Sequence, residues 1–139
     1  MPIHLIRLRK AWECEDLTSS MVRHQRLDLP LSDPSEILLP ARVRLTRTFA
    51  APRLIAGRES LSIRLERVAG LGSILLNGQS VPVPEPLPDS FEFAVVDPQT
   101  RNRLVLEVDF DRNQLQSSPE TAEWGRIALV ISSVDSVGN

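Results

Sequence analysis

The sequence predicts an all-β fold, an antiparallel β-sandwich of about eight strands. Several short segments alternate apolar and polar residues, which is the period of a strand that buries one face. Turn-forming residues separate these segments about every 8–12 positions, as they do in sandwiches. The pattern admits only one helix, a short one over residues 17–24. Because no linker divides the alternating segments, residues 1–139 are predicted to form a single domain.

Three strands are predicted in the first half of the chain. The first covers residues 3–12 and ends at Trp12, which is expected in the core. Residues 13–40 are predicted to form an irregular connection, because three prolines and a turn-prone Ser-Asp-Pro-Ser run interrupt them. The second strand covers residues 42–49 and the third residues 61–67. The predicted inner face of the second strand carries Val43, Leu45, Arg47 and Phe49.

The second half begins with a hairpin. Asn77-Gly78 joins a strand at residues 73–76 to a returning strand at 79–83, because a type I′ turn needs positive φ at both central residues. Alternate prolines in residues 82–88 exclude a central strand and indicate an extended loop. Three further strands are predicted at residues 91–95, 104–110 and 127–131. Residues 133–139 are expected to form a frayed tail.

Composition excludes several classes of function. The chain has 139 residues and a net charge of −2, so no general attraction to nucleic acid or to an anionic membrane is expected. Its one cysteine, Cys14, has no partner for a disulfide and no companions for a zinc site. No apolar run approaches the roughly 20 residues that span a bilayer, and the N-terminal residues lack the order of a signal peptide. A cytoplasmic location is therefore expected.

An ordered set of short motifs extends over most of the chain. The motifs are residues 6–12, Arg47-Thr48-Phe49, residues 61–65, Leu75-Leu76-Asn77-Gly78, Phe91, residues 102–108 and Trp124-Gly125-Arg126-Ile127. Together they resemble the jelly-roll, galactose-binding-like domain that accompanies family 2 glycoside hydrolases. The resemblance implies a sugar-binding jelly roll without catalytic activity, since the catalytic carboxylates of those enzymes lie in a separate barrel. The chain departs from the family at residues 82–88, where prolines replace the usual glycines.

Trp124, Asn77 and Arg47 are the candidates for contact with a ligand. Trp124 would offer an aromatic platform to a sugar if exposed, although a tryptophan in a small sandwich is more often buried against the opposite sheet. The turn alone explains Asn77, whose amide is the second candidate. Arg47 falls on an apolar face, which favours an ion pair or a carbonyl-capping role over ligand binding. The chain has no tyrosine, two tryptophans and four phenylalanines, which disfavours a strong glycan binder.

One segment has the spacing of a calcium loop. Asp109, Asp111, Asn113 and Glu120 match Asp-x-Asp-x-Asn-x6-Glu, in which oxygen ligands at alternate positions surround a hard cation. Gln114 stands where such loops need a glycine, and no flanking helices are predicted. The favoured interpretation is a set of solvated carboxylates, so neither a metal site nor a cofactor is predicted.

The sequence has no recognisable motif that would bring catalytic groups together. His4 and His24 are expected at the surface, and the acidic neighbours of Cys14 disfavour its thiolate. The sequence contains no nucleophile elbow, phosphate-binding glycine loop or histidine ligand pair. The chain is therefore predicted not to be an enzyme.

A row of arginines could suggest a nucleic-acid surface. Arg42, Arg44 and Arg64 are instead expected to form cross-strand ion pairs with Glu66 or Glu107, because aromatic residues do not alternate with the arginines. No nucleic-acid partner is predicted.

Two functions stay open at this point. The first is a non-catalytic carbohydrate-binding module, and the second is a protein-interaction or scaffold sandwich without a sugar site. The surface near Trp124 and residues 82–88 distinguishes them. An aromatic cleft there would favour a sugar, whereas a flat apolar sheet edge would favour a protein partner.

Overall fold

The computed structural model describes residues 3–17, 24–31, 42–55, 57–109 and 124–133. Within these ranges the chain forms ten strands and no helix, which confirms the predicted all-β sandwich. The strands are β1 (Ile3–Arg7), β2 (Trp12–Asp16), β3 (His24–Leu27), β4 (Arg42–Ala50), β5 (Glu59–Glu66), β6 (Leu71–Leu76), β7 (Gln79–Val81), β8 (Ser90–Ala94), β9 (Arg101–Asp109) and β10 (Arg126–Ser133).

Two antiparallel sheets contain these strands. The four-stranded sheet has the order β1-β10-β5-β8, and the six-stranded sheet has the order β3-β2-β4-β9-β6-β7. Strands that are distant in sequence are neighbours in both sheets, as the pairs β1–β10 and β4–β9 show. Strands β1 and β8 are the edges of the smaller sheet, and β3 and β7 are the edges of the larger one.

One apolar cluster fills the space between the sheets. The smaller sheet contributes Leu61, Ile63 and Leu65 of β5, and the larger sheet contributes Leu104 and Leu106 of β9. Each of these side chains is almost completely buried, which is worth about 1.5–3 kcal/mol apiece relative to exposure. The period-two alternation of the two strands therefore produces the core directly.

The segment predicted as a first strand over residues 3–12 is two strands in different sheets. β1 ends at Arg7 in the smaller sheet, and β2 begins at Trp12 in the larger one. The chain crosses between the sheets with Ala11 at a positive φ of 66°. Trp12 is completely buried, as predicted, and its indole Nε1 donates a hydrogen bond to the Leu8 carbonyl at 2.7 Å.

The prediction that residues 13–40 are irregular is wrong for most of their described part. β2 continues to Asp16, and β3 covers His24–Leu27. Beyond Trp12, Cys14 is the only buried residue of β2, so the apolar alternation of this strand has just two members. The short helix over 17–24 falls mainly on residues 18–23, which lie outside the described ranges, and His24 belongs to a strand.

The hairpin prediction is confirmed. β6 and β7 pair across Asn77 and Gly78, which have positive φ values of 53° and 81°. Residues predicted to extend the returning strand to 83 do not do so, because β7 ends at Val81, immediately before Pro82. A proline lacks the N–H that the next ladder bond would need. The predicted tail lies mainly at residues 134–139, outside the described ranges, while Ser133 ends β10.

Candidate functional site

Trp124 is buried, as is usual for a tryptophan in a small sandwich, and it offers no exposed aromatic platform. Only 2% of its surface is accessible. Its backbone forms an isolated bridge with Leu31, and its indole Nε1 donates to the Ala69 carbonyl at 3.0 Å. Gly125, with a positive φ of 85°, follows it, and a Cβ at this position would lie 3.4 Å from the Leu29 side chain. The indole therefore joins the connection before β6 to the segment that enters β10.

Asn77 uses its side chain to hold the hairpin against β9. Its Oδ1 accepts a hydrogen bond from the Arg103 backbone N–H at 2.8 Å, and its Nδ2 donates to Asn102 Oδ1 at 3.0 Å. The backbone N–H of Asn77 also donates to the Arg103 carbonyl at 2.9 Å. The residue is exposed, but both ends of its amide already have protein partners.

Arg47 caps carbonyls. Its Nε donates to the Lys10 carbonyl at 2.7 Å, and one terminal nitrogen donates to the carbonyl of Thr48. The side chain lies on the same side of β4 as Val43 and Leu45 and is half-buried. Its guanidinium thereby satisfies backbone oxygens at the crossing from β1 to β2. This is the carbonyl-capping role that the sequence favoured.

These three residues do not meet in one site. Asn77 is attached to Asn102 and Arg103, near the beginning of β9. Trp124 is attached to Ala69, whose neighbour Gly70 accepts a backbone hydrogen bond from Asp109 at the end of β9. Asn102 and Asp109 are seven residues apart on that strand, which is about 23 Å at ~3.3 Å per residue.

Of the four residues with calcium-loop spacing, the structure describes only Asp109. Asp109 is exposed at the end of β9, while Asp111, Asn113 and Glu120 lie outside the described ranges. Among the residues that the structure describes, no three His, Cys, Asp or Glu side chains come together in a metal-binding arrangement.

A charged row crosses the outer face of the six-stranded sheet. Arg44 of β4 lies between Glu15 and Glu107, with nitrogen-to-oxygen distances of 3.0 and 3.6 Å. Ser73 donates to the other oxygen of Glu107 at 3.2 Å. The predicted pairing of Arg44 with Glu107 is confirmed. Arg64 pairs with Glu92 at 2.6 Å rather than with Glu66.

All the aromatic side chains that the structure describes are buried or half-buried. Trp12, Trp124 and Phe49 are buried, and Phe91 and Phe93 are half-buried against the core. Phe110 lies outside the described ranges. In the loop at residues 82–88, Val83 and Leu87 pack against the same core. The described part of the region around Trp124 and this loop therefore offers no exposed aromatic face for a sugar.

Cys14 is unsuited to nucleophilic chemistry. The thiol is 2% exposed, and burial, assisted by the nearby Asp16 carboxylate, raises its pKa to about 11 in spite of a hydrogen bond with Gln25. Because the thiolate is the reactive form, a raised pKa suppresses reaction at neutral pH.

The open edge of β1 is the most accessible apolar feature among the described strands. Ile3 is 56% exposed and Leu5 is 44% exposed. Both side chains stand on the outer face of the smaller sheet, since Ile6, which has the opposite phase along the strand, packs against the core. Sequence reasoning missed this edge because it assigned residues 3–12 to one strand with a buried face.

Solved structures share this fold. As a sequence, the chain matches no protein-family model and no curated protein. An FMN-binding β-glucuronidase from Facaelibacterium prausnitzii superimposes with a TM-score of 0.69 and 17% identity, over 93% of this chain and 22% of that one. A GH2 β-galacturonidase from Eisenbergiella tayi gives 0.61 and 15%, over 93% and 24%. The Ruminococcus gnavus β-glucuronidase gives 0.65 and 11%, over 96% and 29%.

The chain has the fold of one domain of the GH2 glycosidases. The predicted resemblance to a domain of these enzymes is confirmed at the level of the fold. The chain spans less than a third of the length of each of the three glycosidases, so it corresponds to a part of them. Within the described ranges there is no helix with the length and apolar character needed to cross a membrane.

Proposed function

We propose that this chain is a non-catalytic interaction domain that works by binding the surface of another protein. The observation that carries the proposal is the open edge of β1, where Ile3 and Leu5 are exposed on an edge strand. Natural sheets usually protect their edges with charges, prolines or a covering segment, and an exposed apolar edge is typical of a surface that pairs with something else.

The fold comparison supports a role in contact with other protein. In the matched glycosidases the corresponding segment is 22–30% of a longer chain, so it exists there joined to further structure. A domain with this architecture can therefore serve as a component of an assembly.

The described chemistry supports a non-catalytic role. Burial holds the Cys14 thiol in its unreactive form. The carboxylates of Glu15, Glu92 and Glu107 are engaged with arginines.

Site-specific cross-linking in the native cell tests the proposal. A photo-reactive amino acid is placed at Leu5, and the matched control carries it at Ala94, an exposed residue on β8 at the opposite edge of the same sheet. A discrete protein adduct is expected from position 5 and not from position 94. No adduct at position 5, or equal adducts from both positions, would reject the proposal.

Carbohydrate binding is the second candidate, and the fold match favours it. The matched enzymes include β-glucuronidases and a β-galacturonidase bound to galacturonate, which is a sugar with a carboxylate. Fifteen of the sixteen Lys and Arg residues of this chain are arginines, and a guanidinium binds a carboxylate through two hydrogen bonds. Arg101 and Arg103 are exposed beside the Asn77 turn and could supply that contact.

A thermal-shift screen separates the two candidates. Glucuronate, galacturonate and their neutral parent sugars are tested at millimolar concentration, because a ligand that binds the native state raises Tm by mass action. A rise with the acidic sugars that Arg103→Ala abolishes would support the sugar site. Unchanged Tm with every sugar would remove this candidate and leave the protein-binding proposal untouched.

A further inference from the structure

We infer that the edge of β1 binds an extended, acidic segment of a partner protein as an added strand of the four-stranded sheet. The inference rests on the proposed function and specifies the chemistry of the partner at the same edge. Three properties of residues 3–10 carry it: the direction of their backbone groups, the side chains on their outer face and their charge.

None of the described strands pairs with the outer edge of β1, so its outward backbone groups have no partner strand among them. Leu8 N–H donates to the Ile127 carbonyl at 2.9 Å, which continues the antiparallel register of β1 with β10. Hydrogen-bonded and non-hydrogen-bonded pairs alternate in such a ladder. Residues 4 and 6 therefore bond to β10, while the N–H and C=O groups of Ile3, Leu5 and Arg7 point away from the sheet. An incoming strand can pair with these groups.

The outward side chains of the same three residues favour apolar and acidic partners. Leu5 lies opposite Val130 of β10, which is 1% exposed, so these two residues form an apolar pair on the outer face of the sheet. Ile3, opposite Ser132, adds a second exposed apolar side chain at the edge. An added strand with an apolar residue beside Leu5 would cover it, and an acidic residue beside Arg7 would meet a cation.

Charge selects an acidic occupant. Residues 3–12 contain Arg7, Arg9 and Lys10 and no aspartate or glutamate. All three cations are exposed, and none of the described carboxylates forms an ion pair with them. A local cluster of one sign attracts a segment of the opposite sign and raises its association rate.

A second copy of this chain fits the edge poorly. Antiparallel pairing of two β1 strands about Leu5 would place Arg7 of each copy beside Ile3 of the other, and neither strand has a carboxylate among residues 3–12. Such a pair would leave Arg7, Arg9 and Lys10 of both copies without an acidic partner, so charge complementarity would contribute nothing to it. The occupant is therefore a different segment, one that carries the acidic residues this edge lacks.

Labelled peptides test the inference by fluorescence anisotropy. One peptide alternates valine with glutamate, and its matched control alternates valine with lysine. The glutamate peptide is expected to bind, and its affinity is expected to fall as salt is added. The affinity of the lysine peptide is expected to be lower by a factor of about ten or more. No binding of the glutamate peptide at about 1 mM, or equal binding of both, would overturn the inference.

Two variants locate the binding. Leu5→Pro removes an outward N–H without removing a bond to β10, and edge strands tolerate proline. Leu5→Pro is expected to lower the affinity for the glutamate peptide about tenfold or more. Ala94→Pro on the other edge should leave the affinity for this peptide unchanged. Arg7→Glu should reverse the preference between the two peptides. If Ala94→Pro weakens binding as much as Leu5→Pro, the site is not on β1.

Sedimentation and the cross-linking experiment separate the ways of failing. If the protein self-associates and Leu5→Pro abolishes the self-association, the edge binds a second copy of the chain, and the inference of an acidic segment is overturned. A discrete adduct at position 5, combined with no binding of the glutamate peptide, would retain protein binding at this edge and overturn only the acidic chemistry.

Discussion

Asn77 Nδ2 donates a hydrogen bond to Asn102 Oδ1 at 3.0 Å, which ties an exposed turn to a completely buried amide. Asn102 Oδ1 also accepts from the Gln99 backbone N–H at 2.8 Å, and its Nδ2 donates to the Gln99 carbonyl at 3.0 Å. The Asn102 side chain therefore provides hydrogen-bond partners both for the turn before β9 and for the hairpin that joins β6 to β7. Because both a donor and acceptors are used, the position requires an amide.

Asn102→Leu is expected to lower the free energy of unfolding by about 2–4 kcal/mol. The substitution keeps the branched shape of the side chain but leaves the Gln99 N–H and the Asn77 amide without their partner. Urea unfolding measures the change. Asn77→Gly, which keeps the left-handed turn and loses only the side-chain bonds, should cost about 1 kcal/mol. An Asn102→Leu protein as stable as the wild type would show that the network contributes nothing to folding.

Gly70→Ala is expected to be much more harmful than a substitution at another left-handed glycine. A Cβ at position 70, where φ is +89°, would lie 2.1 Å from the backbone carbonyl oxygen of Asp109. At Gly57, with φ of +78°, a Cβ meets nothing within 4 Å. Gly57→Ala should therefore cost about 1 kcal/mol of strain, and Gly70→Ala about 3 kcal/mol or more. Equal losses in urea unfolding would contradict the close approach.

The ion pairs of Arg44 are expected to contribute little to stability. Its side chain is 39% exposed, and those of Glu15 and Glu107 are 26% and 36% exposed, so solvent screens both pairs. A double-mutant cycle with Arg44→Gln and Glu15→Gln should give a coupling below about 1 kcal/mol, and added salt should reduce it. A larger, salt-independent coupling would show that the row is more rigid than its exposure indicates.

The sequence predicts the strands whose inner faces are continuous. In β9, Leu104, Leu106 and Val108 alternate without interruption and are all buried. β2 was missed because Cys14 is the only residue between 13 and 16 that the core buries. The crossing before it was missed because Ala11 takes a positive φ without the glycine or asparagine that usually indicates one.

The candidate site was predictable only where its geometry is local. The Asn77 turn follows from two adjacent residues. Trp124 is buried through contacts with Ala69 and Leu31, whose positions the sequence does not reveal. Asn102 went unnoticed as a network residue, although it has the same phase as the buried Leu104 and Leu106, and a polar residue in that phase must find partners inside.

Cys14 is expected to make the protein less stable as the pH rises from 9 to 11. Burial raises the pKa of the folded thiol from the ordinary value of 9.0 to about 11. Between these values the unfolded chain loses the proton and the folded chain keeps it, so rising pH favours unfolding; below pH 9 the contribution is complete and constant. The chain has no tyrosine and Lys10 is its only lysine, so few other groups titrate there. Urea unfolding across this range should show a falling stability in the wild type and a much flatter profile in Cys14→Ala. Parallel profiles in the two proteins would mean that the thiol is not protected from water.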